Sequence, residues 1–585
     1  MFRPSTVAAL AVSALALCLP VCIRAQTTIN VPTTAYPTIQ SGINAAANGD
    51  TVLVAPGTYV ENILLNQSIL VISSGGAAVT TIDGSALGPV VTVVSGASLN
   101  PSLRGFTIQN GGKPQPNSST YGGIYVTGGQ ATITNNIITK TFCTGILAYA
   151  SNVDIDANHI NNTLTTGCTA FEGLGSGITI AGNGTLPNNA FVGSNTIEHN
   201  TASVAYSADK GGGGGINITN AKSVTMTFNT IDNNTTTGYG GAVYVATTPS
   251  IYFINNLVFG NKGVSGGLDI VVPGSSVGPL AGLLANNTIV DNTATASTGG
   301  SDIYIGGNLA QYALVNNIIV GDVAGEIALD CGTTYANQTI TPLILDHNDI
   351  YSAVGTAIGG ACTSAPAQDG NISADPQFIA GTPANVTADT QNFQILTSSS
   401  PVVDSGNNSV PILYPDDLAG APRVQDATSL KYPVVDMGAY EFTGLQDASP
   451  TDIYLSPSTY TPITGSGLTL TATLFFSGSS NSIPTGTVTF TEDYATVGTG
   501  IISSSGTATY TINNLSAGLH TFIATYPGQG IFTPATSVNL LLNATSPIGA
   551  TTLTTLVSSL NPSNVGQPVT FTATVSTSSG IIPTG

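Results

Sequence analysis

Residues 223–259 read SVTMTFNTIDNNTTTGYGGAVYVATTPSIYFINNLVF, and this stretch contains the pattern that decides the fold. Met226, Asn229 and Ile231 define the pattern: an apolar residue, two further positions, an asparagine, one further position, and an isoleucine or valine. The pattern returns around Asn256. Every flanking position is apolar, although only 42% of the chain is apolar, so chance does not explain the repeat. Along the chain its asparagine is Asn136, Asn158, Asn195, Asn229, Asn256, Asn287, Asn317 and Asn348.

This repeat predicts a stack of β-strand coils. Alternating apolar residues indicate strands with one buried face, and a spacing of 22 to 37 residues between asparagines gives one coil per repeat. Coils stack at about 4.8 Å, so the apolar columns become a continuous core. An asparagine at the same corner of every coil can pass side-chain amide hydrogen bonds along the stack, and asparagine tolerates the left-handed backbone of a tight corner. We therefore predict an all-β solenoid.

The composition excludes several classes of function. The chain has 585 residues, of which 7% are charged, with 10 Lys+Arg against 30 Asp+Glu and a net charge of -20. Binding to nucleic acid or to an anionic membrane surface needs clustered basic residues, which this chain cannot supply. An apolar content of 42% is too high for a disordered chain. An extracellular β-rich protein fits these values.

The N-terminus has the layout of a secretory signal peptide. Arg3 precedes an apolar run over residues 7–19, and Ala25 provides a small residue for cleavage. We expect residues 1–25 to be removed. No later segment offers the roughly 20 consecutive apolar residues of a membrane-spanning helix, so we expect no membrane insertion after signal removal.

Four cysteines remain beyond the expected signal peptide: Cys143, Cys168, Cys331 and Cys362. An even number of cysteines in an exported chain indicates disulfides. Four cysteines allow three pairings, and we favour the two local ones, Cys143–Cys168 and Cys331–Cys362. Free buried thiols are the alternative.

The start of the chain predicts a cap for the solenoid. Thr38 is placed as an N-cap, and Ile39, Ile43 and Ala46 share one face, which predicts a helix over residues 38–47 that covers the open edge of the first coil. With the coils, this segment resembles the right-handed parallel β-helix of the pectate-lyase-like superfamily. The resemblance spans about residues 30–445. It implies a right-handed β-helix of roughly ten to twelve coils and no particular activity.

The segment after the coils has its own signature, including DLAGAPR at 417–423 and VDMGAYE at 435–441. It is similar to the closing segment of bacterial surface β-helix proteins, among them the choice-of-anchor group. We interpret Arg423 as a structural clamp that pairs with Asp417, Asp436 or Glu441 and ties the final coil shut. A substrate-binding arginine is the alternative.

A different module follows from about residue 451, where Thr/Ser-rich alternation at hairpin spacing replaces the asparagine pattern. This module resembles bacterial Ig-like repeat domains, and its first strand is echoed at residues 568–575. The predicted organisation is a signal peptide at 1–25, a right-handed parallel β-helix at 26–446, an Ig-like β-sandwich at 447–547, and the start of a second, truncated repeat at 548–585.

Carboxylates that align between coils are the candidate catalytic residues. Glu198 and Asp232 each lie three residues after a repeat asparagine, so we expect them about 5 Å apart, near the separation of a retaining glycosidase pair. Asp154 and Asp156 flank inward-facing Ile155 and are expected on an outward face of a neighbouring coil. Together they predict an acidic patch able to hold Ca²⁺ or to act in acid–base catalysis. A solvated acidic surface is the alternative, and no other cofactor or metal motif is present.

Two functional classes follow. The first is a secreted or cell-surface protein that uses the β-helix and Ig-like spacers to bind extracellular polysaccharides or a cell-surface partner. The second is a polysaccharide lyase or glycoside hydrolase on the same scaffold. The few basic residues and the absence of a catalytic motif favour binding. The chain has no tryptophan, so sugar stacking would need tyrosines, of which the candidates are Tyr121, Tyr125, Tyr149, Tyr239 and Tyr244.

Overall fold

Each coil of the chain contributes one strand to each of three long parallel sheets, which makes the first part of the molecule a parallel β-helix. The computed structural model describes residues 26–577 apart from internal gaps, so the predicted signal peptide lies outside the described residues. The gaps are 95, 97–98, 113–121, 164–176, 184–187, 203–211, 272–281, 296–299, 308–311, 322, 333, 336–337, 340–342, 365–369, 380–391, 396–398, 426–432, 443–450, 477–483, 529–531, 533 and 546–551.

The three sheets follow one another around each coil. Sheet 1 contains Thr28–Val31, Thr51–Val54, Leu70–Ser73, Ser102–Arg104, Gln130–Thr134, Asn152–Asp156, Asn189–Gly193, Ser223–Thr227, Ile251–Ile254, Gly282–Ala285, Tyr312–Val315 and Ile344–Asp346. Sheet 2 contains Gly57–Val60, Thr80–Asp83, Thr107–Gln109, Ile137–Thr139, His159–Asn161, Thr196–Glu198, Thr230–Asp232, Leu257–Phe259, Thr288–Val290, Ile318–Gly321 and Asp349–Ser352. Sheet 3 contains Ile63–Leu65, Val91–Val94, Ile124–Thr127, Ile146–Tyr149, Ile178–Ala181, Ile216–Thr219, Val243–Ala246, Leu268–Val271, Gly300–Gly306, Ile327–Cys331 and Thr356–Gly360. Sheet 4, a short fourth sheet, contains Thr201–Ala202, Thr235–Thr236, Lys262–Gly263 and Thr293–Ala294.

The predicted apolar columns form the core. Ile155, Met226, Phe253 and Leu284 are at most 1% exposed and stack in register along sheet 1. The register inferred from the asparagine column is therefore confirmed.

The repeat asparagines form a buried hydrogen-bonded ladder at the corner between sheets 1 and 2. Asn229 donates from Nδ2 to Oδ1 of Asn256 at 2.9 Å, and this bond repeats from Asn136 to Asn348 before the ladder ends at Asn371. One expectation for this corner was wrong. The left-handed backbone lies at the residue before each ladder asparagine, with φ between 51° and 57°, and that position also accepts Phe228. The side-chain ladder, and not the backbone conformation, therefore selects asparagine.

A second asparagine ladder lies five residues further along the chain, and the sequence analysis missed it. Asn200, Asn234, Asn261 and Asn292 pass the same Nδ2-to-Oδ1 bonds, at 2.9–3.0 Å, and the ladder ends on the carboxylate of Asp302. It fixes the corner between sheet 2 and sheet 4.

The cap helix spans Ile39–Ala45. Thr38 Oγ1 accepts the backbone N–H of Ser41, and the backbone N–H of Thr38 donates to Ser41 Oγ, which completes a capping box. Ile39 and Ile43 are fully buried against the first coil. The helix is shorter than the predicted residues 38–47 because its C-cap, Ala46, already has an extended backbone.

Cys331 and Cys362 form a disulfide with a Cα–Cα distance of 5.4 Å, which joins the last-but-one strand of sheet 3 to the 3-10 helix Ala361–Ser364. Cys143 is also disulfide-bonded. Its expected partner, Cys168, lies outside the described residues.

In its described part, the segment over residues 370–442 continues the stack at its start, where Asn371 ends the ladder and Ile372 bridges Asp349 in parallel, and then packs on the outside of the β-helix. Phe378, Phe393 and Met437 cover apolar residues of sheet 2 such as Phe259. Tyr414 covers the outer face of sheet 1. The prediction that Arg423 ties the final coil shut is wrong in its place, because Arg423 donates from Nη2 to Oδ1 of Asn255, a corner residue in the middle of the stack, at 2.8 Å.

An antiparallel sandwich follows, with its own apolar core. The hairpin turn at Asp493 and Tyr494 has positive φ at both residues, as a two-residue hairpin requires. Tyr494 reaches the β-helix, where its hydroxyl lies 2.9 Å from Oγ1 of Thr225 and its ring contacts Tyr252. One sheet contains Thr451–Pro457, Leu468–Phe476 and Thr507–Ile512, and the other contains Ala495–Ile501, Thr487–Glu492, Gly518–Tyr526, Ala535–Thr536 and Leu540–Ala544. The remaining pairs are Thr334–Tyr335 with Gln338–Thr339, Val424–Gln425 with Val434–Val435, and Thr552–Ser558 with Phe571–Thr577.

Candidate functional site

The four predicted carboxylates lie on two different faces. Glu198 and Asp232 are direct partners in the register of sheet 2, as the asparagine column predicts. Asp154 and Asp156 belong to sheet 1. The ladder corner turns the chain between the two sheets, so the prediction of one shared acidic patch is wrong.

Asp154 and Asp156 do not form an exposed acidic surface. Asp156 is 7% exposed, and Asp154 is half-buried beside Phe191, its partner in the next strand. Burial raises the pKa of Asp156 to about 6, and burial together with the charge of Asp156 raises the pKa of Asp154 well above its ordinary value. Both carboxyl groups therefore favour the neutral form more than an exposed aspartate does.

Glu198 is engaged by two histidines. His159 Nε2 lies 2.6 Å from Glu198 Oε1, and His199 Nδ1 lies 3.6 Å from Glu198 Oε2. His159 is the outward-facing first residue of the neighbouring strand of sheet 2. This arrangement holds the carboxylate in place between two imidazole rings.

Asp232 is the buried member of the pair. It is 6% exposed, accepts a hydrogen bond from Asn233 Nδ2 at 2.9 Å, and is followed in its column by Phe259. Burial and the charge of Glu198 raise its pKa to about 6, while Asn233 and the two histidines oppose the increase. A carboxylic acid with this pKa suits proton transfer, but so little exposed surface leaves few positions for a sugar ring.

A column on the outer face of sheet 3 combines aromatic rings with carboxylates. Tyr244, Asp269, Tyr304 and Asp330 are register partners in four consecutive strands. The ring of Tyr239 stacks on that of Tyr244 with centroids 6.4 Å apart. Tyr239, Tyr304 and Asp330 are half-buried, so part of each faces outward. We call these five residues the tyrosine–aspartate column.

The charges in this column are close together. Burial raises the pKa of Tyr304, and Asp269, Asp330 and Tyr239 raise it further. Asp269 accepts a hydrogen bond from Ser265 Oγ at 2.5 Å, and its burial raises its pKa to about 7. The column can therefore offer both hydrogen-bond donors and acceptors beside aromatic faces.

Of the five residues in the tyrosine–aspartate column, only Tyr239 and Tyr244 were predicted from the sequence as sugar-stacking candidates. Asp269, Tyr304 and Asp330 were not predicted. The signal was present. Each of the four register partners stands between two inward apolar residues in an aligned triplet, so a sheet-3 register would have found these four. The triplets are residues 243–245, 268–270, 303–305 and 329–331. Tyr125 and Tyr149 lie further along the same sheet, and Tyr121 lies outside the described residues.

The four proposed clamp residues come together in a buried cluster. Arg423 is fully buried, Asp417 and Asp436 are at most 2% exposed, and Glu441 is 6% exposed. Arg423 Nη1 lies 3.8 Å from Glu441 Oε2. The carboxylates also accept backbone N–H groups: Asp417 Oδ2 accepts that of Glu441 at 2.8 Å, and Glu441 Oε2 accepts that of Asp436 at 3.0 Å. This full enclosure by protein groups argues against a substrate-binding arginine.

Among the described residues, burial raises the pKa of six aspartates to about 6–8, and we call them the six raised aspartates. The pKa is about 6 for Asp156 and Asp232, about 7 for Asp269, Asp349 and Asp436, and about 8 for Asp416. They are spread over the β-helix and the segment that packs on it, so they affect stability more than a single site.

A cavity of about 580 Å³ lies between the β-helix, the outer segment and the sandwich. Its lining includes Phe191, Phe228, Tyr414, Asp416, Asp452 and Asn539. This volume falls in the range of small-molecule pockets. The cavity is a second place where a ligand could contact aromatic and polar side chains.

Comparison with known proteins identifies both modules. Residues 104–350 match the family described as right handed beta helix region, and residues 455–545 match the bacterial Ig-like domain (group 3). The chain therefore contains a right-handed parallel β-helix followed by a bacterial Ig-like domain. No curated protein matches the chain. Among the described residues, no helix has the length and apolar character needed to cross a membrane.

One solved structure, a mutant of an alginate lyase of the PL6 family, is similar over 67% of this chain at 14% identity and a TM-score of 0.24. The aligned part is 60% of that enzyme's chain. This similarity is too low to carry an argument about activity.

Proposed function

We propose that this protein acts outside the cell and binds an uncharged polysaccharide along the outer face of sheet 3. The observation that carries the proposal is the tyrosine–aspartate column. Sugars present apolar faces that pack on aromatic rings and hydroxyls that bond to carboxylates and amides. The half-buried Tyr239 and Tyr304 supply the rings and the half-buried Asp330 supplies a polar partner, whereas Tyr244 and Asp269 are buried beside them.

The repeat of the fold suits an extended ligand. Adjacent strands of a sheet lie about 4.8 Å apart, so the column offers one side chain per coil along the axis of the β-helix. A polymer that lies along this axis contacts successive rungs, and each rung adds a small contribution. The bacterial Ig-like domain then serves as a spacer that holds the β-helix away from whatever carries the chain.

Charge selects the class of polysaccharide. The net charge is -20, and the column itself contains two carboxylates. A polyanion is repelled at long range by such a surface. We therefore favour a neutral glycan over a polyuronate. The disulfide between Cys331 and Cys362 supports an oxidising, extracellular location.

The predicted carboxylate pair supports binding over turnover. Glu198 is held by His159 at 2.6 Å, and Asp232 is 6% exposed. A retaining glycosidase needs both carboxyl groups in contact with the same sugar. The pair satisfies the spacing of register neighbours but presents only one member to solvent.

The test is to measure binding of neutral oligosaccharides and of polyuronates by calorimetry, with Tyr304→Ala and Tyr239→Ala as variants. We expect binding of a neutral glycan that weakens about three- to tenfold for each lost ring, which matches about 0.5–1.5 kcal/mol for an aromatic contact. Tyr454→Ala is the matched control, because Tyr454 is 48% exposed and lies on the Ig-like domain.

Three results would overturn the proposal: no neutral glycan binds, polyuronates bind more tightly, or Tyr304→Ala binds as well as the unmodified chain. Loss of binding in Phe228→Ala alone would place the ligand in the cavity of about 580 Å³ and refute the sheet-3 site.

A further inference from the structure

Three potential metal ligands meet in the Ig-like domain, apart from every site discussed above. Glu492 ends one strand, Asp493 begins the hairpin turn, and His520 lies on the neighbouring strand Gly518–Tyr526. Their ligand atoms all lie within 4.8 Å of one another. His520 Nδ1 is 2.7 Å from Glu492 Oε1 and 3.6 Å from Asp493 Oδ2.

The buried histidine shows that this group is more than an acidic cluster. His520 is 4% exposed, and its Nδ1 is buried without a hydrogen-bond partner, although two carboxylates face it. The oxygens therefore surround Nδ1 without the alignment of a hydrogen bond. A lone pair that points at a shared ion has this arrangement.

The second ring nitrogen of His520, Nε2, donates a hydrogen bond to a carbonyl group, as the second nitrogen of a metal-binding histidine does. His520 Nε2 lies 3.0 Å from the carbonyl oxygen of Ser516, which can only accept, so Nε2 carries the proton. Nδ1 faces the two carboxylates, which raise the pKa of His520 through the interaction with Asp493 and through the charge of Glu492, so a metal ion takes the place of a proton at this nitrogen. Histidine ligands generally donate their other N–H to a carbonyl or carboxylate in this way.

Asp493 is also held in place. Its Oδ1 accepts the backbone N–H of Thr521 at 2.8 Å, which leaves Oδ2 toward His520. The backbone N–H of Asp493 donates in turn to the carbonyl of Thr521 at 2.8 Å. Two of the three ligands are thus oriented by neighbouring groups before any ion binds.

We propose that Glu492, Asp493 and His520 bind a divalent transition metal ion of the zinc class. One imidazole nitrogen and two carboxylate oxygens form a ligand set that suits Zn²⁺, with water in the remaining position. Ca²⁺ and Mg²⁺ prefer sets made only of oxygen. Burial opposes the lowering of the pKa of Asp493, which comes from its interaction with His520, from its hydrogen bond with the backbone of Thr521 and, to a smaller extent, from the charge of Lys222, so these groups compete with the ion.

The site connects two modules. Tyr494, the residue after Asp493, has its hydroxyl 2.9 Å from Oγ1 of Thr225 in the β-helix. An ion at this site would join the hairpin that carries Tyr494 to the strand of His520. Metal binding would therefore stiffen the hairpin that contacts the β-helix.

The test uses the full chain without a polyhistidine tag. After treatment with chelator and dialysis, Zn²⁺ is titrated by calorimetry and bound zinc is measured by elemental analysis. We expect one bound ion per chain. His520→Gln should weaken binding at least tenfold, and Asp493→Asn should do the same. Asp493 is 55% exposed in its side chain, so its variant tests the site even where the histidine variant fails to fold.

His347→Gln is the matched control. His347 also faces a carboxylate, with Nδ1 2.5 Å from Asp346 Oδ1, but the described residues supply no second carboxylate to complete a site there. This variant should bind zinc as the unmodified chain does. The proposal is overturned if no zinc binds, if Asp493→Asn binds it unchanged, or if His347→Gln removes the binding.

Discussion

Removing one asparagine from the middle of the ladder should destabilise the β-helix far more than removing an exposed asparagine. Asn229 is fully buried and takes part in four side-chain hydrogen bonds. Its Nδ2 donates to the carbonyl of Val192 at 2.8 Å and to Oδ1 of Asn256 at 2.9 Å. Its Oδ1 accepts the backbone N–H and the Nδ2 of Asn195, both at 3.0 Å.

The magnitude follows from which groups keep a partner in Asn229→Ala. Asn195 Nδ2 still donates to Ile155 at 2.8 Å, and Asn256 Oδ1 still accepts the backbone N–H of residue 229 at 3.0 Å. The N–H of Asn195 loses its partner, whereas the carbonyl of Val192 lies within a strand that pairs on both sides in sheet 1. One buried donor left without a partner gives a loss of about 1–3 kcal/mol in the free energy of unfolding.

The assay is urea unfolding followed by the circular dichroism of the β-sheet. Asn62→Ala is the control, because Asn62 is exposed and makes one bond, from Nδ2 to the carbonyl of Pro89 at 2.9 Å. We expect the control to change the unfolding free energy by less than about 1 kcal/mol. The reasoning fails if Asn229→Ala and Asn62→Ala unfold at the same urea concentration.

Three further predictions concern the buried charges. The six raised aspartates have folded-state pKa values of about 6–8 against an ordinary value of 3.8. Their protonation therefore contributes fully to the stability of the fold below pH 3.8, and this contribution is lost as the pH rises through 6–8. Between pH 5 and pH 8.5, a group with a folded-state pKa of about 7 loses about two pKa units of stabilisation, or about 3 kcal/mol. Several such groups act together, so the melting temperature should fall by at least about 5 °C over this range, and a constant or rising value would contradict this. Arg423→Met should cost about 3–5 kcal/mol at pH 8 and less at pH 5, where the surrounding carboxyls are protonated; calorimetric melting of Arg423→Met beside the exposed Arg104→Met checks this, and equal losses at both pH values would count against it. Incubation with pectins, alginate and neutral glycans, with and without Ca²⁺, should release no products, whereas release that is abolished by both Glu198→Gln and Asp232→Asn would establish an enzyme.

Most of the β-helix could be predicted because its repeat is local and redundant. Each coil repeats the same spacing of apolar residues and asparagine. The register of sheet 1 and the burial of Met226 and Phe253 therefore follow from the pattern alone. The second ladder obeys the same logic, since Asn200 and Asn234 each stand five residues after a member of the first. It was missed because one asparagine column was enough to define the coil.

A glycine directly precedes several strands of sheet 3, including Gly177 and Gly215, and the structure gives its physical reason. A Cβ added to Gly177 would lie 2.4 Å from the carbonyl oxygen of Gly215 in the next coil. The close stacking of coils at this point therefore excludes a side chain. A sequence pattern shows that glycine recurs but does not distinguish a bend from a close contact.

The candidate site was harder to predict because the chemistry of an outward residue depends on what covers it. Asn161, Glu198, Asp232 and Phe259 are consecutive in one column of sheet 2, and the column passes from solvent to full burial within these four coils. The cover comes from Phe393, whose ring centroid is 5.1 Å from that of Phe259 and which lies more than a hundred residues further along the chain. No pattern within a coil reports such a contact. From the register alone, Glu198 and Asp232 are an equivalent pair. In the structure, burial raises the pKa of Asp232, whereas Glu198 contacts the two histidines. An acidic pair on a solenoid can therefore be located from the repeat, but whether it can act on a substrate depends on segments outside the repeat.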